Sequence, residues 1–155
     1  MRIGVISDSH GDISLMKRVV KEMGDIDFYI HLGDFVSDAK KVFDSSKRFV
    51  VVKGNCDLTD DKEEIVLELG GHTLLATHGH QFNIKYGYNN IYYRALERDA
   101  DIVLFGHTHM PISLWYQGRL FFNPGSITYP RGGSMASYGI IEITDEGVYP
   151  NIYEV

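Results

Sequence analysis

The sequence predicts an α/β fold in which two β-sheets pack together with helices outside. Three observations carry this. The first fifty or so residues run strand, helix, strand, helix, strand, an order that calls for parallel pairing through right-handed crossovers. The second half has hairpin texture, with turn signals at Gly70-Gly71, Gln117-Gly118 and Asp145-Glu146-Gly147. No repeat, low-complexity tract or linker interrupts the 155 residues, so a single domain over 1–155 is expected.

The elements follow in order. "RIGVIS" is a short buried-type strand. "GDISLMKRVVKEMG" places Leu15, Met16, Val19, Val20 and Met23 on one helical face, with Asp12 as cap and Gly24 as stop. "DFYIHL" is the second strand, "SDAKKVFDSS" a short helix capped by Ser37, and "RFVVVK" the third strand. "EEIVLELGGHTLLATHG" makes two strands about its glycine pair, and "YNNIYYRALERD" spaces Ile91, Ala95 and Leu96 as a helix. "DIVLF" is a further strand, followed by the two later hairpins.

Composition narrows the function classes. Fifteen basic against twenty-one acidic residues give a formal charge of −6, the wrong sign for a broad hold on nucleic acid, so no duplex partner is expected. No apolar run reaches the roughly 20 residues of a membrane span, and the N-terminus lacks a signal-peptide layout. The lone Cys56 fits a reducing compartment. A cytoplasmic protein acting on a small or locally gripped substrate is expected, with homo-oligomerisation left open.

Ligand-type side chains fall where strands give way to loops. Asp8 and His10 follow the first strand, Asp34 the second, Asn55 the third, His78 a later one, and His107 and His109 the next. The loops at the carboxyl ends of parallel strands gather at one edge, where open sheets form their ligand crevice. Alternation along extended backbone would aim Asp8 with His10, and His107 with His109, to one side. Glycines 11, 33, 54, 79 and 106 let the chain turn beside them. Taken singly, Asp8 reads equally as a helix cap and Asn55 as a turn residue. Those readings do not explain seven oxygen or nitrogen donors falling after five strands.

The order D-x-H, GD, GN, H, GHxH resembles the calcineurin-like metallophosphoesterases, and "GNCD" with "NPGS" at 123–126 resembles their small YfcE-type phosphodiesterase branch. The resemblance runs from Asp8 to Ser126. It implies a four-layer αββα sandwich and two divalent metal ions. Asp8, His10, Asp34 and His109 would hold one ion; Asp34, Asn55, His78 and His107 the other, with Asp34 bridging. The donors lack thiolates and suit manganese first, with nickel, iron, zinc and magnesium as alternatives. Two cations about 3.5–4 Å apart can activate a hydroxide and stabilise in-line displacement at phosphorus. Asp8, Asp34, Asn55 and His80 are the catalytic candidates, His80 standing equally well as a supporting loop residue. Arg131 could grip a phosphate oxygen, though a solvated arginine is the plainer reading, as it is for the carboxylates Asp38 and Asp57. For "NPGS" the plainer reading is a Pro-Gly turn, with Asn123 bonding a ligand loop as the alternative.

Many members of the superfamily have histidine where Cys56 stands. A thiol is a poor general acid near neutrality, and losing such help, typically worth about 10²- to 10⁴-fold, hurts poor leaving groups most. The expected substrates are therefore small phosphodiesters with good leaving groups, aryl esters or 2′,3′-cyclic nucleotides. The same fold also serves a retromer subunit in protein assembly, so a non-catalytic metal-binding or protein-binding scaffold is the alternative.

Overall fold

In the computed structural model, residues 1–43 and 48–155 are described. Five strands, β1 (Arg2–Ile6), β2 (Phe28–His31), β3 (Phe49–Val51), β9 (Ser137–Thr144) and β10 (Gly147–Glu154), form one mixed sheet in the order β10-β9-β1-β2-β3. The other sheet takes β4 (Glu64–Leu69), β5 (His72–Thr77), β6 (Ile102–Leu104), β7 (Ile112–Tyr116) and β8 (Arg119–Asn123) in the order β4-β5-β6-β8-β7. Each sheet has a parallel centre, β1-β2-β3 or β5-β6-β8, with antiparallel strands beside it.

Three apolar clusters define four layers. Between the sheets, Ile3, Val5, Ile30 and Leu32 meet Leu74, Ala76, Ile102, Leu104 and Phe122. Helices α1 (Ile13–Glu22) and α2 (Val36–Val42) cover the outer face of the first sheet through Met16, Val19, Val20, Val36 and Ala39. Helix α3 (Asn89–Glu97) covers the second through Ile91 and Ala95. Each fully buried side chain of this size contributes roughly 1.5–3 kcal/mol, so the helices are held by their apolar faces.

Local signals mostly act as the sequence implies. The Asp12 carboxylate caps α1 by accepting from the Leu15 N–H at 2.8 Å, and Gly24 ends the segment at φ +69°. Gly70 and Gly71 both take positive φ, the geometry of a tight hairpin turn. Two expectations fail. Ser37 is not a cap, because α2 starts at Val36 and the Val36 N–H is satisfied by Asp57 Oδ1 at 2.9 Å, from a loop twenty-one residues on. The helix ends at Val42 with Phe43 extended; residues 44–46, expected to continue it, lie outside the described residues. Leu96 keeps the helical spacing but is exposed, and Tyr92 packs with Ile91 and Ala95 against the second sheet. No helix among the described residues is long and apolar enough to cross a membrane.

Candidate metal centre

The carboxyl ends of β1, β2, β3, β5, β6 and β8 meet at one edge of the two-sheet stack, and backbone bonds tie their loops together. Asp8 N–H donates to Gly33 O at 3.0 Å, and Gly106 N–H to His78 O at 3.1 Å. Across the sheets, the His107 N–H donates to Asp8 Oδ2 at 3.2 Å and the Ser126 hydroxyl to Asp8 O at 2.8 Å. Ser7 adds a second donor to Asp8 Oδ2 at 2.6 Å.

The ligand loops do not use extended alternation. Asp8, His10, Asp34, His107 and His109 all have φ between 45° and 65°, the left-handed region. Such backbone costs a non-glycine residue energy and concentrates at functional sites. The paired side chains of Asp-Ser-His and His-Thr-His converge because both outer residues turn the chain left-handed, not because the residue between them points away. Two of the neighbouring glycines have a different reason from turning. A Cβ on Gly106 would lie 2.0 Å from Ser7 Oγ, and one on Gly54 would lie 2.1 Å from Asp34 Oδ1, so only glycine lets these loops approach.

One ligand atom from each of Asp8, His10, Asp34 and His109 lies within 4.8 Å of the others. His10 Nε2 is central: it is 3.4 Å from His109 Nε2 and 3.9 Å from both Asp8 Oδ1 and Asp34 Oδ2. Asp8 is fully buried and Asp34 nearly so. Next to this group, His78 Nε2 is 3.5 Å from Asp34 Oδ1, and the His78 and His107 rings are 5.0 Å apart. His80 is half-buried, 5.5 Å from the His78 ring and 6.1 Å from that of His107. Asn55 is exposed at the rim with its amide donating to Cys56 Sγ at 3.4 Å, while the Cys56 N–H donates to Asp34 Oδ1 at 2.9 Å.

Tautomers decide what these atoms face. His78 Nδ1 lies 2.7 Å from Leu32 O, and His109 Nδ1 lies 2.6 Å from Tyr129 O. A carbonyl only accepts, so in the neutral rings both Nδ1 atoms carry the proton and both Nε2 atoms present bare lone pairs. Those lone pairs point at carboxylate oxygens: His109 Nε2 is 3.1 Å from Asp8 Oδ1. Asp8 Oδ1 and His78 Nε2 are buried without any hydrogen-bond partner. Acceptors facing acceptors in a buried site are what a bound cation resolves, and carbonyls that orient ligand imidazoles are its usual support. The residues present fit a divalent metal.

The electrostatics agree. Burial alone would raise the Asp8 carboxyl, but His109, His78 and the Ser7 hydroxyl hold it below the usual carboxylate range. His109 is pulled down by burial and, more strongly, up by Asp8 and the Tyr129 carbonyl, ending above an ordinary imidazole. Burial, His78 and Lys85 push His107 down to about 4, leaving it neutral and able to coordinate. Partial desolvation, then Asp34 and Asp57, push the Cys56 thiol up to about 11, so it releases no proton near neutrality.

Other side chains near the ligands are better placed than the sequence implies. Asp38, expected to be solvated, is buried and accepts from the Ser9 hydroxyl and the Gly11 N–H, each at 2.8 Å. Asp57, also expected to be solvated, is half-buried and pins Gly54 N–H at 2.8 Å as well as capping α2. Asn123 is more than a turn residue: it donates to Gly106 O at 2.8 Å and Thr108 Oγ1 at 3.0 Å, and accepts from Gly125 N–H at 2.9 Å. Ser7, Ser9 and Ser126 carry no sequence signal of their own, because serine is common at strand ends and only the fold brings them to Asp8 and Asp38. Arg131 is exposed, with its backbone N–H donating to His109 O at 3.1 Å.

A fold of two stacked mixed sheets whose strand ends collect buried carboxylates and imidazoles defines a metal-dependent phosphoesterase class. The model of the calcineurin-like phosphoesterase superfamily domain matches residues 1–146, and the chain belongs to that family. Among curated relatives, the probable metallophosphoesterase YsnB of Bacillus subtilis is 38% identical over 99% of this chain and 91% of its own length. The phosphodiesterase YfcE of Escherichia coli is 29% identical over 92% of this chain and 88% of its own. A crystal structure of a predicted phosphoesterase from Streptococcus pneumoniae superposes with TM-score 0.84 at 35% identity, covering 99% of this chain and 88% of that one. Vps29 of Entamoeba histolytica shares the fold, with TM-score 0.80 at 22% identity over 100% of this chain and 99% of that one.

Proposed function

We propose that the chain is a phosphodiesterase that works with two divalent metal ions, manganese first among them, on small phosphodiesters bearing aryl or cyclic-nucleotide groups. The observation that carries it is the pair of buried, partnerless acceptors, Asp8 Oδ1 beside His109 and His78 Nε2 beside Asp34. Asp8, His10, Asp34 and His109 would hold one ion, and Asp34, Asn55, His78 and His107 the other. Bound there, the ions supply Lewis acidity toward water and phosphoryl oxygens. The chain's own residues do the rest. The Leu32 and Tyr129 carbonyls set the tautomers and aim of His78 and His109. His80, half-buried beside His78 and His107, is assigned to a phosphoryl oxygen, and Asn55 to the exposed rim where substrate enters.

The diester preference draws on two features. Cys56 stands where an imidazole would protonate a leaving oxygen, and its raised thiol favours substrates whose leaving group departs unaided. Phe35 and Tyr129 put partly exposed rings 5.3 and 5.4 Å from the His10 ring, an aromatic border suited to an aryl or nucleobase group. The formal charge of −6 fits a small substrate rather than a duplex. One domain over 1–155 and a cytoplasmic setting, in keeping with the single Cys56, complete the proposal. The scaffold alternative draws only on the shared fold of Vps29, and the full donor set favours the enzyme.

The test is a metal-screened assay. Protein stripped with EDTA is given manganese, nickel, zinc or magnesium and challenged with bis(p-nitrophenyl) phosphate, 2′,3′-cyclic AMP, p-nitrophenyl phosphate and an alkyl monoester. Turnover of the aryl diester that needs metal and exceeds alkyl monoester turnover by at least tenfold is expected. Equal rates on both would remove the diester assignment; no turnover with any metal would remove the enzyme.

A further inference from the structure

Each sheet has two edges, and three of the four are protected against pairing with another chain. Strand β3 has three residues flanked by Arg48 and Lys53; β4 carries Glu64 and Glu68; β10 has Pro150 at its centre and Glu154 near its end. Short length, charge and proline are the usual devices that keep a sheet edge from recruiting a neighbour. Strand β7 is the remaining edge. From Met110 to Gly118, "MPISLWYQG", it has no charged residue, and Pro111 lies outside the strand.

The same strand exposes a run of large apolar side chains. Leu114 is 40%, Trp115 52% and Tyr116 50% exposed. The face bearing Leu114 and Tyr116 continues onto α3: the Tyr116 ring is 5.5 Å from that of Tyr92, which is 5.7 Å from that of Tyr93, itself 63% exposed; Trp115 stands on the opposite face. Below the face shared with α3, Tyr88, Asn89, Tyr92, Leu114, Tyr116 and Phe121 line a mostly apolar cavity of about 230 Å³.

We propose that β7 is a dimerisation strand, pairing antiparallel with β7 of a second copy about a two-fold axis near Leu114 to join the two five-stranded sheets into one. Identical strands paired antiparallel satisfy a two-fold axis with every contact made twice, the commonest form of homo-oligomer. A partner of the same chain also carries the same net negative charge, and β7 is the edge where that repulsion is weakest because no charge stands on it. The area suffices. Aromatic side chains present about 150–250 Å² each when fully exposed, so the half-exposed Trp115, Tyr116 and Tyr93, with the smaller Leu114, offer roughly 400 Å² of apolar surface per copy over the two faces of the strand. Doubling and adding backbone and rim brings the total to the roughly 1,000 Å² that a specific interface requires.

Trp115 is the only tryptophan and sits on the strand, so its emission reports the contact. Sedimentation velocity and fluorescence of the full chain between about 1 and 100 µM are expected to give twice the chain mass at the upper end. The tryptophan emission should move to shorter wavelength in parallel. Two variants put charge on the exposed strand without entering the core, Trp115→Lys and Ser113→Lys; Ser113→Lys retains the fluorophore. Both are expected to be monomers with the parent's circular dichroism. A monomer at 100 µM with concentration-independent emission overturns the proposal, as does a dimer that survives Ser113→Lys.

Discussion

Replacing Asp8 by asparagine should invert the usual relation between a ligand mutation and stability. Asp8 Oδ1 is buried, without a hydrogen bond, 3.1 Å from His109 Nε2, which is a bare lone pair in the neutral ring. Leaving such a group unsatisfied costs about 1–3 kcal/mol. In Asp8→Asn the amide nitrogen takes the Oδ1 position and donates to His109 Nε2. The carbonyl keeps the bonds from Ser7 and the His107 N–H, weakened because the acceptor is no longer charged. The balance is a gain of about 1 kcal/mol, or roughly 2–4 °C in Tm for a chain of this length. The assay is urea and thermal unfolding at pH 9, in EDTA and in excess manganese. In EDTA the variant should be the more stable protein. In manganese at about a hundredfold over Kd the parent should gain about 2.7 kcal/mol and overtake it, since the variant has lost a charged ligand. A variant less stable than the parent in EDTA, or one that gains as much from manganese, would refute the reasoning.

Further outcomes follow from two buried polar groups. His31 is wholly buried, with Nδ1 accepting from Gly33 N–H and Nε2 facing the Ser9 hydroxyl, and burial pushes it down to about 4. Its unfolded value is near 6.5, so the neutral ring stabilises the fold above pH 6.5 and that contribution is lost as pH falls toward 4. The full effect is about 3 kcal/mol; urea midpoints in EDTA should decline across that window, and ring nitrogen shifts should report neutral His31 at pH 5. Asn123→Ala removes three hydrogen bonds at the loop bearing His107 and His109, and should cost about 2–4 kcal/mol. It should also weaken manganese binding about 10- to 100-fold by calorimetry; an unchanged affinity would make the residue purely structural.

The scaffold of the site was legible from the chain because apolar runs ending in Asp, His or Asn mark strand ends whichever sheet they join. Parallel pairing brings those five ends together within each sheet, and the stacking of the sheets brings the two sets to one edge. What stayed hidden depends on long-range contacts. Asp57 takes the capping role that Ser37 has by local pattern, because the loop after β3 folds back over α2. Asp38 looks solvated beside two lysines, yet Ser9 and Gly11 reach it from another strand end. The left-handed turns at Asp8, His10, Asp34, His107 and His109 were invisible too, since aspartate and histidine adopt either backbone and the choice is made by hydrogen bonds across the loops. Leu96 keeps the helical period yet stays 42% exposed.

Those left-handed turns also bear on how folding relates to ion capture. They are held by bonds from Gly33 O, His78 O, Ser126 and Asn123, all supplied by the polypeptide itself. The cage is thus shaped by the polypeptide's own hydrogen bonds. Chelation should therefore empty it without unravelling it, and one divalent species can replace another with little rearrangement, so the ion carried in a cell would follow local supply more than architecture.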